Sequence, residues 1–245
     1  MNEHIVKSFT EQLESLANCV AQMGGLVEAQ FGGAIEAMAK RDTQQAEIAI
    51  STDRRVDELQ QSVEEQALKV LALRQPMAVD LRTTLAAIRI ASELERIGDY
   101  AKNIGKRSLV LNREPPIRLT QTLARMGRQA MTQLKTVLDA YSDHDANAAK
   151  SVWYQDEEID ELYNSLFREL LTYMMEDPRT IGLCTHLLFV AKNIERAGDH
   201  ATNIAETVYH MSTGEYLRYD GRPKADVTST APLPQEPNTE RSSED

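Results

Sequence analysis

Glu95-Arg96-Ile97-Gly98-Asp99-Tyr100-Ala101-Lys102-Asn103-Ile104 returns almost unchanged as Glu195-Arg196-Ala197-Gly198-Asp199-His200-Ala201-Thr202-Asn203-Ile204, with seven of ten positions identical. Each copy sets a carboxylate at i, another at i+4 and an amide at i+8, which share one face of a helix. Like charges at that spacing weaken a helix slightly. The same unfavourable pair, written twice at matching places, points to a compensating cation.

The repeat runs well beyond these stretches. Asp53-Arg54-Arg55-Val56-Asp57-Glu58-Leu59 is echoed by Asp156-Glu157-Glu158-Ile159-Asp160-Glu161-Leu162, and Met23-Gly24 by Met126-Gly127. The offset is 103 in these parts and 100 in the decapeptides. A few residues were therefore gained or lost at the connection near Pro178, where a loop tolerates them. Such self-similarity means one supersecondary unit used twice.

Each half divides into three helical segments. In the first, Ile5, Phe9, Leu13, Leu16, Val20, Met23, Val27, Phe31, Ala34 and Met38 form one apolar stripe, and Asp42 offers an N-cap for the next helix. That second helix is predicted to run to about Leu73. Arg74-Gln75-Pro76 breaks it, with the proline in the first turn of a third helix that turns Leu81, Leu85, Ile88, Leu94, Ile97, Ala101 and Ile104 inward. Asn112-Arg113-Glu114-Pro115-Pro116 separates the halves, and Asp145 and Asp177-Pro178 repeat the cap and the break. The prediction is all-α: two tandem antiparallel three-helix bundles related by internal duplication, over residues 1–111 and 112–213. Past Gly214 the periodicity is lost, and Pro232, Pro234 and Pro237 stand among Ser, Thr, Asp and Glu, so 214–245 reads as a disordered acidic, Pro-rich tail.

Composition excludes several classes of function. The chain has 245 residues, 5% of them aromatic and a formal charge of -11. That acidity argues against a nucleic-acid binder, which needs a basic stripe. The longest apolar runs fall short of a bilayer span and no cleavable leader opens the chain, so a cytoplasmic protein without direct membrane insertion is expected. Cys19 and Cys184, in different helical segments, read as small buried apolar residues.

A hairpin geometry sharpens the carboxylate argument. With a turn near Gln75, Asp57 and Asp53 lie 18 and 22 residues before it, while Glu95 and Asp99 lie 20 and 24 after it. At about 1.5 Å per residue both pairs reach one height. Asp160 and Asp156 meet Glu195 and Asp199 in the same way across Asp177. By the helical angle of about 100° per residue, these acids lie off the apolar stripe, which predicts surface clusters. Di-iron carboxylate bundles instead turn their ligands inward and use Glu-x-x-His. This chain has no Glu-x-x-His, and His200, matched by Tyr100, reads as an ordinary polar residue. An all-oxygen set suits Mg²⁺, Mn²⁺ or oxygen-ligated iron, and calls for no organic cofactor. The plainer alternative is solvated surface, with Arg96 or Arg196 pairing with the following Asp at i+3. Gly98 and Gly198 fit a close approach by a backbone or an ion, or plain helix packing.

These motifs carry a resemblance. Two helical halves, each with Asp-x-x-x-Asp on the second helix and Glu-Arg-x-Gly-Asp-x-x-x-Asn on the third, resemble the PhoU family of bacterial phosphate-uptake regulators. Gln75-Pro76 and Asp80-Leu81-Arg82 also read as that family does, and the likeness covers roughly Phe9 to Met211. It implies a non-enzymatic negative regulator of phosphate uptake and phosphate-starvation signalling. The partners it implies are the ATPase subunit of the phosphate ABC transporter and a phosphate-sensing histidine kinase. Association with the inner membrane would be peripheral, through those partners, and a homodimer is implied as well. Carried over residue by residue, the metal ligands are Glu95, Asp99, Glu195 and Asp199 facing Asp53, Asp57, Asp156 and Asp160, with Asn103 and Asn203 as accessories. The readings left beside it are a metal-binding or purely structural helical adaptor and, more remotely, a di-metal carboxylate oxidase.

Overall fold

The structure is a computed structural model that describes residues 2–116 and 118–217, with the side chains of 2–8 and of Asp156 outside the description. Of the expected tail, 218–245 lies outside the described residues. All regular structure in the described part is helical. Helix α1 (Asn2–Lys40) buries Leu16, Val20, Met23, Val27, Phe31, Ala34 and Met38 along its predicted stripe. Asp42 then caps α2 (Thr43–Arg74), its carboxylate accepting from the Gln45 amide at 3.0 Å.

The connection to α3 (Ala78–Leu111) corrects one expectation. Pro76 precedes the N-cap Met77 and so lies outside the first turn. Gln75 sits in the left-handed region (φ 47°) and Met77 is extended, so the chain completes its turn on both sides of the proline before the helix restarts. A second correction concerns which residues α3 buries. Leu94, Ile97, Ala101 and Ile104 are buried as predicted, but Leu81 and Leu85 are exposed and Ile88 is half-buried. Thr84, Ala87 and Ala91 take the inner face. Small side chains let the neighbouring helices pack close, a preference that a search for large apolar residues misses.

The second half repeats the plan with one interruption. Helix α4 (Leu119–Asp143) is followed by α5 (Ala146–Tyr154), capped by Asp145, and then α6 (Asp156–Glu176). A 3-10 turn at Pro178–Thr180 leads into α7 (Ile181–Thr213). The single middle helix expected here is thus two. At Gln155 the amide donates to the Val152 carbonyl (3.0 Å) in a tightened turn, while the Gln155 carbonyl accepts from Gln133 Nε2 (2.9 Å), and the regular ladder is lost between them.

The two halves meet through equivalent helices related by a pseudo-twofold. Helices α3 and α7 run antiparallel: Arg82 reaches the Met211 carbonyl (3.4 Å), Tyr100 reaches His200 (3.2 Å), and Arg107 reaches His186 (3.1 Å). Helices α1 and α4 pair likewise, Gly24 facing Leu138 and its repeat equivalent Gly127 facing Ile35. A contact answered by its mirror contact is the mark of an isologous joint, here within one chain. The buried apolar residues form one cluster drawn from all seven helices. Among the described residues, no helix is long and apolar enough to cross a membrane.

Candidate metal centre

The first hairpin brings its predicted carboxylates to one level, the second brings Asp160, Glu195 and Asp199 together, and the two clusters differ in what pairs with them. In the first, the Lys102 ammonium lies 2.7 Å from Asp53 Oδ2 and 2.6 Å from Asp99 Oδ1. It stitches α2 to α3 at the height the residue count predicts. Arg96 adds weaker pairs to Glu95 (3.6 Å) and Asp99 (4.0 Å). Burial, then the Asp53 carboxylate, pushes the Asp57 pKa up, and burial, then Asp99, raises that of Glu95. Burial works against the Lys102 charge, but its hydrogen bonds to Asp53 and Asp99 more than reverse that, and its pKa rises above the ordinary lysine value. This cluster already contains a cation, tethered to the chain.

The second cluster has Thr202 where Lys102 stands. Asp160 of α6 and Glu195 and Asp199 of α7 each offer a carboxylate oxygen, and these lie within 4.8 Å of one another, the one such acidic trio among the described residues. Glu195 pairs one oxygen with Lys192 (2.6 Å), while its Oε2 is buried with no hydrogen-bond partner. A buried, orphaned carboxylate oxygen beside two further acids fits the oxygen shell of a hard cation. Asp156 opens α6, but its side chain lies outside the described residues.

The expectation of a purely surface location needs correction. Glu95, Asp57 and Asp160 are half-buried, and the side chains of Asp53 and Glu195 are only 14% and 12% exposed, with Asp199 the exposed member. The glycines account for this. A Cβ on Gly98 would meet Val56 Cγ1 and Gln30 Oε1, each at 3.2 Å, and one on Gly198 would meet Ile159 Cδ1 at 3.0 Å. Val56 and Ile159 sit between the acids of the Asp-x-x-x-Asp motifs. Glycine therefore lets the third helix seat against the second and buries the flanking acids, which decides for helix packing over a bound ion at those positions.

The sequence reading missed the glutamines in this packing. Gln30 and Gln133, at the repeat's own offset of 103, are both buried; Gln30 Nε2 donates to the Ala49 carbonyl (2.9 Å) as Gln133 donates to that of Gln155. It also missed Glu93. His200 does not join the carboxylates: its Nδ1 faces Glu93 and its Nε2 faces the Tyr100 hydroxyl, so it bridges the two halves. Asn203 donates to Glu93 at 3.1 Å and belongs to the same seam, while Asn103 stays half-buried on α3. Burial raises the Glu93 pKa, but hydrogen bonds from His200 and Asn203 bring it below the usual carboxylate value.

The two duplicated helical units match a known family. The family model described as PhoU domain matches residues 20–108 and again 123–208, once in each half. The chain belongs to the PhoU family. Its PhoU relatives include a "Phosphate-specific transport system accessory protein PhoU homolog" of Caulobacter vibrioides, 54% identical over 94% of this chain and 100% of that protein. The Escherichia coli protein named "Phosphate-specific transport system accessory protein PhoU" is 36% identical over 92% of this chain and 94% of its own length. The crystal structure of PhoU from Pseudomonas aeruginosa superposes with a TM-score of 0.83 at 35% identity, covering 84% of this chain and all of that one. The PhoU fold in this chain thus rests on sequence and structure together.

Proposed function

We propose that this chain is an accessory protein of phosphate transport that restrains phosphate uptake and phosphate-starvation signalling when phosphate is plentiful. It acts by contact with the ATPase subunit of the phosphate ABC transporter and with a phosphate-sensing histidine kinase, on the cytoplasmic side of the membrane, and catalyses no reaction. The observation that carries this reading is the family match in both halves together with 54% identity to a relative named for phosphate transport along its whole length.

The carboxylate clusters give the contacts a chemistry. Asp160, Glu195 and Asp199 would hold Mg²⁺, Mn²⁺ or oxygen-ligated iron, whose contribution is to cancel their charge. The face then changes from anionic to near neutral, and with it the partner surface that is complementary. The first cluster is partly neutralised by Lys102, which already bridges Asp53 and Asp99, so it is the less responsive of the two to metal.

The test is alkaline phosphatase activity in phosphate-replete cells of the source bacterium lacking this gene. High activity, returned to low by the intact gene, supports the regulatory reading. Activity that stays repressed in the deletion strain overturns it and leaves a metal-binding or structural adaptor.

A further inference from the structure

The second half departs from the first in a group of aromatic residues. Trp153, Tyr154 and Tyr209 stand where the repeat places Ile50, Ser51 and Leu109. With Lys150, Glu215, Tyr216 and Leu217 they line a groove of about 640 Å³ between α5 and the end of α7. In a chain with only 5% aromatic residues, four rings in one groove is a concentration the fold does not require. The Trp153 ring forms the floor, buried and held by its Nε1–H donating to Glu206 (2.8 Å). Tyr154 stands edge-on to it with centroids 5.0 Å apart, and Tyr216 stacks on His210 at 4.1 Å. Both rim tyrosines are open, at 61% and 70% exposure. Aromatic-lined grooves of this kind receive polyproline segments, because rings flank the proline faces and little chain entropy is lost.

The chain carries such a segment and delivers it to this place. Helix α7 ends at Gly214 (φ 80°), Arg82 holds the Met211 carbonyl, and the Glu215 amide donates to Thr213 Oγ1 (3.0 Å). The reversal makes Tyr216 and Leu217 part of the groove wall, so the chain beyond Leu217 departs from the groove itself. After thirteen intervening residues comes Ala231-Pro232-Leu233-Pro234-Gln235-Glu236-Pro237, whose one charge is Glu236; the groove carries one charge of each sign, Lys150 and Glu215, so recognition rests on the prolines and the rings. A coil of that length spans about 20 Å, which covers the return, and its effective concentration at the groove is of millimolar order.

We propose that Ala231–Pro237 docks as an extended polyproline strand in the Trp153–Tyr154–Tyr209–Tyr216 groove of its own chain. Trp153 is the sole tryptophan and both cysteines are buried, so the full-length protein can be read directly. A nitroxide attached at Gln235→Cys should broaden the single Trp153 indole ¹⁵N–¹H signal by more than half. The broadening should vanish in the chain that also carries Pro232→Ser, Pro234→Ser and Pro237→Ser, and in the one with Tyr154→Ala. It should be absent when the nitroxide is on unenriched chains mixed with unlabelled ¹⁵N chains. An indole signal that the intramolecular label leaves sharp overturns the proposal. Broadening in the mixed sample moves the tail to a neighbouring copy and overturns it as well. Broadening that survives the proline substitutions refutes the polyproline chemistry.

Discussion

Replacing Lys102 with the threonine of the matching position should turn the first cluster into a second metal-responsive one. The ammonium makes two hydrogen bonds, 2.7 Å to Asp53 and 2.6 Å to Asp99. Bonds to charged groups are worth about 1.5–3 kcal/mol when protected from water. Lys102 is about a quarter exposed, which discounts each to roughly 0.5–1 kcal/mol. Its removal also leaves Asp53, Asp57, Glu95 and Asp99 facing one another, costing on the order of 1 kcal/mol more at surface-like dielectric. In EDTA, Lys102→Thr should therefore lose about 2–3 kcal/mol. For a chain of this size that lowers Tm by roughly 4–12 °C. Mn²⁺ at a hundred times its Kd should restore about 2.7 kcal/mol. Differential scanning calorimetry with and without Mn²⁺, alongside elemental analysis, reads both effects. The reciprocal change, Thr202→Lys, should reduce the Mn²⁺ bound per chain. If Lys102→Thr melts with the parent in EDTA and takes up no additional Mn²⁺, Lys102 is not acting as a tethered cation.

Two further predictions test the joint and the charge balance. A Cβ on Gly127 would lie 2.5 Å from Ile35 Cδ1 and 2.7 Å from Cγ1, so Gly127→Ala should cost about 1–3 kcal/mol in overpacking against about 1 kcal/mol gained in helix propensity. Adding Ile35→Ala, which removes Cδ1, Cγ1 and Cγ2, should make Gly127→Ala far less costly in that background in urea unfolding, and strictly additive effects would disprove the clash. The raised pKa values of Asp57 and Glu95 mean that the folded state holds those protons more tightly than the unfolded chain. Metal-free stability should accordingly rise as pH falls toward their ordinary values of 3.8 and 4.5, less so in Asp57→Asn. Glu93, with its pKa lowered, has the opposite sign: its contribution is present above 4.5 and is lost as pH falls through its folded value. Melts from pH 3 to 7 of the parent, Asp57→Asn and Glu93→Gln separate the two, and a parent curve flat above pH 4.5 in EDTA would remove the first.

What was legible in the sequence was what repeats with a period. The offset of 103 gave two units, Asp42 and Asp145 gave caps, Asp177-Pro178 gave a break, and counting from the turns brought Asp53 to the height of Asp99, where Lys102 joins them. Gln30 and Gln133 obeyed the same offset, yet an isolated glutamine carries no sign of burial until a facing glycine opens a space for it. Leu81 and Leu85 misled because hydrophobicity alone does not report how closely α3 approaches its neighbours, which Thr84, Ala87 and Ala91 set. The break at Gln155 has no counterpart in the continuous α2, and no local propensity encodes it. Glu93 lies just outside the repeated decapeptide, and its partners His200 and Asn203 are more than a hundred residues away.

Duplication separates the residues that hold the joint from those in which the halves differ. The pseudo-twofold joint demands equivalence: Gly24 with Leu138 and Gly127 with Ile35 can both form only if the two units keep the same shape. The glycines, the buried glutamines and the residues between paired acids obey that demand, and they specify packing. Thr202 in place of Lys102 removes the ammonium that joins α2 to α3 in the first half, and in the second half Lys192 pairs with Glu195 instead. Tyr100 opposite His200 does likewise at the axis itself, where two identical residues would meet; the difference lets one side accept what the other donates and recruits Glu93. A duplicated scaffold holds its shape by what the copies share, and substitutions such as these make its two faces chemically different.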